Sequence, residues 1–285
     1  MNPIILLLAD GDAFFIGMAL VLLGVGARLW VRRKLLLALL RIIGLVGAVL
    51  VIASSTPFPV WAYCVWLLLW LAIFVLPVAR TKSVVTPAFA AVSILLCFLE
   101  FPHHLPVRIP VAQGEHVYVI GDSISAGLDS SERNWPLVLG DISHLNVTNL
   151  AEPGATASSA LAQVRGIIEP NSLVIIEIGG NDMLGDTDGD EFSKDLDALL
   201  SGIPPSSHCA MFELPLLPFR NNYGRAQRTL AARHHVILIP KKCLTSAIGG
   251  AGNTIDGLHL SQKGHDALAH SVFRMLEIGD ESSGR

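Results

Sequence analysis

The sequence predicts an α/β fold: a three-layer α/β/α domain with a parallel sheet of about five strands, preceded by an all-α transmembrane region. Two observations support this prediction. Residues 1–100 are almost continuously hydrophobic. In residues 113–285, short apolar runs alternate with helical patterns, which is typical of a parallel sheet covered on both faces. We therefore divide the chain into a membrane region (1–100), a linker (101–112) and a globular domain (113–285).

The composition excludes an ordinary soluble protein. Of the 285 residues, 52% are hydrophobic and 15% are charged, whereas a soluble domain usually carries about 25% charged residues. The formal net charge of −4 leaves no basic stripe. We therefore expect no nucleic acid among the partners of this chain.

Four apolar stretches in the first hundred residues are candidate transmembrane helices. Spanning a bilayer takes about 20 apolar residues, with a range of about 17–25. The third stretch meets this length, and the second meets it when its ends are included. The first and fourth are shorter, and the fourth contains Pro87. The stretches are Ala13–Ala27, Leu35–Ala53, Phe58–Ala79 and Val84–Leu99.

Basic residues predict the orientation of these spans. They are concentrated between the first two stretches and between the last two, and loops rich in Lys and Arg face the cytoplasm. If all four stretches span the membrane, the globular domain lies outside the cytoplasm. It also lies outside if only the first stretch fails to span. Without the fourth span it would lie in the cytoplasm. The loop residues are Arg28, Arg32, Arg33, Lys34, Arg80 and Lys82.

The globular domain should contain five strands with helices between them. Ligands bind beyond the carboxyl ends of the strands in such sheets. The expected strands are His116–Ile120, Asn146–Leu150, Leu173–Ile178, Cys209–Leu214 and Val236–Ile239. The expected helices lie near Trp135–Ile142, Ala155–Ile168, Glu191–Leu200, Gly224–His234 and Ser261–Glu277.

Two motifs directly follow predicted strands. In Gly121-Asp122-Ser123 the serine is a candidate nucleophile, although the motif is also typical of a strand-to-helix turn in which Ser123 caps the helix. In Gly179-Gly180-Asn181-Asp182 the glycines allow close backbone approach, and the Asn181 amide can donate to an oxyanion. A simple Gly-Asn turn is the alternative. We expect Asp182 to bind backbone and hold the loop.

Two further segments complete a candidate site. Gly154 precedes a predicted helix, so its N–H is a candidate second donor, with a plain turn glycine as the alternative. In Asp256-Gly257-Leu258-His259, the histidine can take the Ser123 proton while Asp256 orients the imidazolium. The alternative is a solvated loop. Together these groups are the ones needed to attack an ester carbonyl and hold the charge on its oxygen.

No metal or cofactor is expected. Three acidic residues alternate as in a calcium loop, but the glycine and the final glutamate of such a loop are missing. The Cys/His spacing does not support zinc, and there is no glycine-rich phosphate loop. His265 and His270, five residues apart on the last predicted helix, should be surface residues. The alternating acidic residues are Asp186, Asp188 and Asp190.

Over Val117–Leu276 the motifs resemble the SGNH hydrolase family, also called GDSL lipases and esterases. That family is named for four blocks, whose key residues would here be Ser123, Gly154, Asn181 and His259. The resemblance implies a flavodoxin-like SGNH fold with a catalytic serine, histidine and aspartate, here Ser123, His259 and Asp256. It also implies an oxyanion hole made by the Ser123 and Gly154 N–H groups and the Asn181 amide.

Within the family, four segments are similar to the bacterial periplasmic multifunctional thioesterase/lysophospholipase group. The soluble members of that group lack a multi-span anchor. Taken together with the predicted spans, the similarity implies a protein of the bacterial inner membrane with a periplasmic catalytic domain. One residue departs from the pattern: Leu260 stands where the family usually has proline after the histidine. We expect this change to loosen the loop that holds His259. The segments are Trp135-Pro136, Glu177–Asp182, Asn222–Arg225 and Asp256–His259.

The leading hypothesis is a membrane-anchored serine hydrolase that cleaves acyl esters or thioesters through an acyl-serine intermediate. Its substrate would be a small acyl ester, a lipid or an acylated glycan. A second hypothesis is an O-acetyl esterase or acyltransferase acting on a cell-surface glycan. Related domains are attached to membrane acyltransferase modules, but four spans are few for such a module. The third hypothesis is a non-catalytic lipid or glycan sensor, and the complete set of key residues argues against it.

Overall fold

The computed structural model of the chain describes residues 2–28, 31, 33–75, 84–128 and 132–279. The chain forms two compact units. The sheet unit comprises Met1–Leu6, Leu105–Pro215 and Asn222–Arg285, and the helical unit comprises Leu7–His104 and Leu216–Asn221. Several residues used above to predict spans and orientation lie outside the described part, namely Arg32, Arg80, Lys82 and residues 76–79.

The described part of the first hundred residues is mainly helical, with a non-helical link at residues 54–59 between two of the helices. The helices are α1 (Pro3–Ala9), α2 (Asp12–Arg28), α3 (Lys34–Ala53), α4 (Val60–Val75) and α5 (Thr86–Glu100). By length and apolar composition, two described helices can cross a membrane, Lys34–Ala53 and Thr86–His104. A third span is added if α1 and α2, which meet at an 88° bend, count as one, and α4 is a shorter apolar helix.

Helices of the helical unit pack closely inside and present apolar side chains outside. Between α4 and α5, Trp66 Nε1 donates to Ser93 Oγ at 2.9 Å, and both residues are buried. The outer faces expose large apolar side chains such as Leu35 (85% exposed) and Phe98 (73%). An exterior of this kind is typical of a surface that contacts lipid or a partner.

In the sheet unit the five predicted strands form a single parallel sheet, which confirms the expected fold class. The strand order is β3-β2-β4-β5-β6. Two further strands, β1 and β7, pair in parallel as a separate small sheet. The strands are β1 (Ile109–Ala112), β2 (His116–Gly121), β3 (Asn146–Asn149), β4 (Leu173–Glu177), β5 (His208–Phe212), β6 (Ile237–Ile239) and β7 (Leu276–Gly279).

Helices follow or precede nearly every strand of the main sheet, as a layered α/β fold requires. They are α6 (Ser123–Ala126), α7 (Trp135–Ser143), α8 (Ala157–Ala160), α9 (Gly180–Leu184), α10 (Gly189–Gly202), α11 (Asn221–Arg233), α12 (Lys242–Gly249) and α13 (Gln262–Phe273). A short 3₁₀ turn covers Gln163–Gly166.

Two predicted helices differ from the observed ones. The expected helix Ala155–Ile168 is divided into α8 and the 3₁₀ turn, where the buried Gln163 side chain bonds both the N–H and the C=O of Gly121 at 3.0 Å. The expected helix Ser261–Glu277 ends at Phe273, because Leu276–Gly279 instead pairs with β1. The partner strand β1 lies within the segment that the sequence suggested to be a linker.

The two central strands end where the strand order reverses. From β2 the chain goes to β3 on one side of the sheet and then returns to β4 on the other. Every residue of β4 is buried, which is typical of a central parallel strand. In the register of this pair, Gly121 faces Glu177. A crevice is expected at such a switch point, beyond the carboxyl ends of the strands.

Candidate active site

Ser123 begins α6 directly after β2, at the switch point. The cap of this short helix is Asp122, whose Oδ1 accepts a hydrogen bond from the Ile124 N–H at 2.9 Å. The alternative interpretation, in which Ser123 caps the helix, is therefore wrong. Ser123 is half-buried, and its Oγ makes no hydrogen bond with any described residue. The hydroxyl is thus left available to a substrate.

Gly154 lies in a tight turn over the end of the sheet. Ala155 N–H donates to Glu152 C=O at 3.2 Å, so that Pro153 and Gly154 occupy the two central positions. The φ of Gly154 is +77°, a value that the second central position of a type II turn requires and that glycine adopts at little cost. Gly154 is therefore a turn glycine. Its own N–H bonds no described residue, so it can also serve as a donor.

Asn181, in the first turn of α9, connects the other two segments. Its Nδ2 donates to Asp122 Oδ2 at 3.1 Å and to Ala155 C=O at 3.0 Å. These two acceptors are the neighbours of Ser123 and Gly154 in the chain. The structure therefore brings three of the sequence-predicted donors together. Both hydrogens of the amide are engaged, so one must turn away from its acceptor to reach an oxyanion.

The glycines before Asn181 permit this close approach, as predicted. Gly179 has a φ of +111°, and a Cβ there would lie 2.8 Å from Leu214 Cδ1. A Cβ on Gly180 would lie 3.3 Å from Asp122 Oδ2. A larger residue would push the Asn181 loop away from Ser123.

The carboxylate of Asp182 also holds this loop, which confirms the expected backbone contact. Its carboxylate Oδ2 accepts from the N–H of Ala157, the first residue of α8, at 3.0 Å. Burial raises the pKa of this fully buried carboxyl. The bond ties the Asn181 loop to the helix that follows the Gly154 turn.

Asp256 and His259 form the expected pair. His259 Nδ1 lies 2.6 Å from Asp256 Oδ2, and Asp256 Oδ1 accepts from the N–H groups of Leu258 and His259 at 2.9 Å each. The hydrogen bond to His259, with help from the two backbone bonds, holds the pKa of Asp256 well below its usual range. With the Nδ1 proton donated to a carboxylate, Nε2 is the atom left to accept a proton.

Packing and a backbone bridge close the loop at Leu260, and the expected loosening stays a prediction. Its side chain is 2% exposed, and the residue forms an antiparallel bridge with Thr254. Inside the bridge, Ile255 N–H donates to His259 C=O at 2.9 Å. A buried leucine and a closed backbone ring therefore hold the histidine where the family pattern uses proline.

The structure places the histidine near the serine without joining them. In the part of the chain that the structure describes, no hydrogen bond links Ser123 Oγ to His259. Burial raises the pKa of the Asp122 carboxyl, and His259 lies close enough for its charge to oppose that rise. Catalytic hydrogen bonds are often long in unliganded enzymes and shorten in the substrate complex.

Sequence reasoning missed a buried hydrogen-bonded chain behind Ser123. Trp135 Nε1 donates to Ser125 Oγ at 3.1 Å, and Ser125 Oγ donates to Glu177 Oε2 at 3.0 Å. The Glu177 carboxyl is hydrogen-bonded in turn to that of Asp122. Both carboxyls are 3% exposed. The available signal was Glu177 itself, a charged residue ending an otherwise apolar strand.

Burial changes the protonation of this carboxyl pair. It raises the pKa of Asp122 and raises that of Glu177 well above its usual range, and the charge of Asp122 adds to the effect on Glu177. Two carboxyls in contact cannot both ionise cheaply. Burial and the neighbouring charge thus favour the protonated form more strongly in Glu177 than in Asp122.

Exposed apolar side chains flank the segments that carry the candidate residues. They lie within five residues of Ser123, Asn181 or His259 in the chain, and each is at least 41% exposed. Such residues offer apolar contact area next to the site. They are Leu128, Leu184, Ile255 and Leu258.

His265 is not a surface residue. It is 1% exposed, and its Nδ1 accepts a hydrogen bond from the Trp135 N–H at 3.2 Å. Burial lowers the pKa of this imidazole. His265 thus fixes the start of α7 and the position of Trp135, whereas His270 is exposed as predicted.

Among the described residues, no group of three or more His, Cys, Asp or Glu side chains could hold a metal ion.

Similarity to known proteins covers about half of the chain. Residues 119–267, about half of the chain, match the model of the GDSL-like Lipase/Acylhydrolase family. Among solved structures, TesA is 26% identical, with a TM-score of 0.50, and the match covers 56% of this chain and 97% of TesA. None of the curated proteins is a significant match to the chain.

Two other solved structures match over the same share of this chain, 56%. The psychrotrophic esterase EstA from Pseudoalteromonas sp., in a form inhibited by monoethylphosphonate, is 19% identical, with 96% of its length covered and a TM-score of 0.48. The lipase/acylhydrolase from Enterococcus faecalis is 20% identical, with 94% covered and a TM-score of 0.46.

Proposed function

Because the chain belongs to the GDSL-like lipase/acylhydrolase family, we propose that it is a membrane-anchored serine hydrolase that cleaves acyl esters or thioesters through an acyl-serine intermediate. One observation carries the proposal. The Asn181 amide bonds the chain neighbours of both Ser123 and Gly154. This contact supports an oxyanion hole beside the serine hydroxyl, formed by the Asn181 amide with the Ser123 and Gly154 N–H groups.

The proposed reaction has two steps, acylation and deacylation of Ser123. Ser123 Oγ attacks the acyl carbonyl carbon, and its proton passes to His259 Nε2. The carbonyl oxygen becomes an oxyanion that accepts from the N–H groups of Ser123 and Gly154 and from the Asn181 amide. The intermediate collapses, and the alcohol or thiol leaves with the proton from His259. Water then attacks the acyl-Ser123 ester through the same groups and releases the acid.

Asp256 keeps the histidine in the tautomer this mechanism needs. Its carboxylate accepts the Nδ1 proton and stabilises the imidazolium that forms when Nε2 is protonated. Because two backbone N–H groups and the imidazole all bind this carboxylate, it stays ionised at neutral pH.

A lipid-like acyl chain is the substrate class that we favour. The exposed side chains of Leu128, Leu184, Ile255 and Leu258 provide apolar contact next to the catalytic segments. The helical unit contains two or three helices that can cross a membrane by length and composition. The similarity of four segments to the thioesterase/lysophospholipase group points the same way. An anchored enzyme of this kind would meet its substrate at the lipid surface.

The test uses the full chain in detergent and its Ser123→Ala variant. We expect a fluorophosphonate probe to label the wild type alone, and turnover of p-nitrophenyl esters to fall by about a thousandfold or more in the variant. Ser201→Ala, at an exposed serine in α10, is the matched control and should label normally.

The outcomes separate the hypotheses. A preference for long acyl chains supports a lipid substrate, whereas a preference for acetyl favours an acetylated glycan. Undiminished hydrolysis by Ser123→Ala would contradict the proposed nucleophile. A folded wild-type protein that neither labels nor hydrolyses any ester from acetyl to palmitoyl would favour the sensor hypothesis.

A further inference from the structure

The carboxyl pair behind the nucleophile has a single arrangement of hydrogens. Trp135 Nε1 can only donate, so Ser125 Oγ accepts from it and must direct its own proton to Glu177 Oε2. The Glu177 carboxyl also bonds the backbone N–H and the carboxyl of Asp122. A hydrogen bond between two carboxyls requires one proton between them.

Two donors disfavour Asp122 as the residue that carries this proton. Its Oδ1 accepts from the Ile124 N–H at 2.9 Å, and its Oδ2 accepts from Asn181 Nδ2 at 3.1 Å. A proton on either oxygen would have to compete with a donor that already points at it. The proton therefore belongs to Glu177, and Asp122 accepts from three directions as an anion.

We propose that Glu177 is a positioning residue of the hydrolase site, whose protonated carboxyl donates to Asp122 and thereby holds the anion that orients the Asn181 amide. This inference rests on the proposed function. Asp122 also caps the helix that begins at Ser123. One proton, buried behind the site, thus fixes both the start of the nucleophile helix and the third oxyanion donor.

The charges around the pair are consistent with this role. The charge of His259 favours the ionised form of Asp122, whereas the charge of Asp182 opposes it. The charge of Asp122 favours the neutral form of Glu177. When His259 takes the serine proton during catalysis, the Asp122 anion stabilises the imidazolium. An ionised Glu177 would instead repel Asp122 in a site that excludes water.

The direction of the pH dependence follows. The folded-state pKa of Glu177 is raised, mainly by burial. The stabilisation that its proton provides is therefore fully present only below the ordinary carboxyl value, about 4.3. It is lost as the pH rises through the raised folded value.

Two substitutions in the full chain test the inference. In Glu177→Gln, the side-chain amide can donate to Asp122 while its oxygen accepts from Ser125, so kcat/KM should stay close to the wild-type value. In Glu177→Ala both bonds are lost, and kcat/KM should fall by about 10- to 100-fold, because Asp122 keeps a buried charge with one donor fewer. An equal loss in both variants, or no loss in Glu177→Ala, would overturn the proposal.

A spectroscopic measurement locates the proton without any assay of activity. The infrared difference spectrum between the wild type and Glu177→Gln should show the C=O stretch of one protonated carboxyl at neutral pH. Its absence would mean that Glu177 is ionised, and the inference would fail. Fluorophosphonate labelling of the wild type keeps the two proposals distinct: an unlabelled wild type contradicts the hydrolase, whereas a labelled wild type with an inactive Glu177→Gln contradicts only this inference.

Discussion

Asp256 is bound both by an imidazole and by the backbone of its own loop. Its Oδ2 lies 2.6 Å from His259 Nδ1, while its Oδ1 accepts two backbone N–H groups. In Asp256→Asn the amide can replace one of these acceptors only, and it favours the tautomer of His259 with the proton on Nε2. We expect kcat to fall by about 10²- to 10⁴-fold with ester substrates.

The control for this prediction is labelling and stability in the same variant. Fluorophosphonate labelling of Asp256→Asn should be slow but complete, because Ser123 remains in place. A variant that hydrolyses esters at the wild-type rate would show that Asp256 has no role in orienting the histidine.

The effect of low pH on the contribution of Asp256 to stability has a definite direction. The folded-state pKa of Asp256 is held below its usual range, so its contribution to stability is present above the ordinary carboxyl value, about 3.9. That contribution is lost as the pH falls through the lower folded value. A loss of activity between pH 7 and pH 5 therefore cannot come from protonation of Asp256.

At the scale of elements, α2 and α3 cross at two glycines. A Cβ on Gly17 would lie 2.5 Å from the carbonyl oxygen of Gly47, and a Cβ on Gly47 would lie 2.7 Å from that of Gly17. Small residues let helix backbones approach closely in membranes. Gly17→Ala should therefore force the helices apart and destabilise the helical unit by about 1–3 kcal/mol.

Gly26→Ala in the same helix is the matched control. A Cβ there meets nothing within 4 Å, so the substitution should be neutral or slightly stabilising, since alanine is favoured over glycine in helices by about 1 kcal/mol. The measurement is the temperature at which Cys97 in α5 becomes reactive to a thiol dye, with the other cysteines replaced by alanine. Equal midpoints for both variants would contradict the close crossing.

Local pattern predicted the elements of the main sheet but not the pairing of distant segments. The apolar run of β4 was sufficient to identify a central strand, because a strand buried on both faces has no other composition. The sequence Leu276–Gly279 is compatible with either helix or strand. Its strand conformation depends on β1, more than 160 residues earlier, which no local pattern encodes.

The residues of the candidate site were likewise predictable only in part. Ser123, Asn181 and His259 were identified because the chemistry requires their residue types at strand ends or in loops. The roles of Asp122 and Glu177 were not, because they arise only when two strands place Gly121 opposite Glu177. Such a role follows from the register of the sheet and becomes visible only in three dimensions.

At the scale of the whole sheet unit, strand order explains why separate motifs meet. The loop after β3 passes over the end of β2, where Glu152 N–H donates to Gly121 C=O at 3.1 Å. The loop after β4 reaches the same point from the other side through Asn181. A serine, a turn glycine and an amide from three loops therefore meet at one edge of the sheet, where the switch point of a doubly wound sheet favours a ligand crevice.

The side of the membrane on which this crevice lies can be tested in the whole chain. With four spans and cytoplasmic basic loops, the sheet unit should be periplasmic. In a cysteine-free background, Gln113→Cys, at an exposed turn between β1 and β2, reports the sheet unit, and Lys34→Cys, at the exposed start of α3, reports the basic loop.

A membrane-impermeant maleimide applied to intact spheroplasts should label Gln113→Cys at once and Lys34→Cys only after lysis. Each position is the control for the other, because both are exposed and they differ only in the compartment expected for them. Labelling of Lys34→Cys in intact spheroplasts would reverse the orientation of α3. If both positions were labelled only after lysis, the sheet unit would lie on the cytoplasmic side together with the basic loop. This is the arrangement expected if the fourth stretch does not span. The substrate would then have to be an acyl ester available in the cytoplasm.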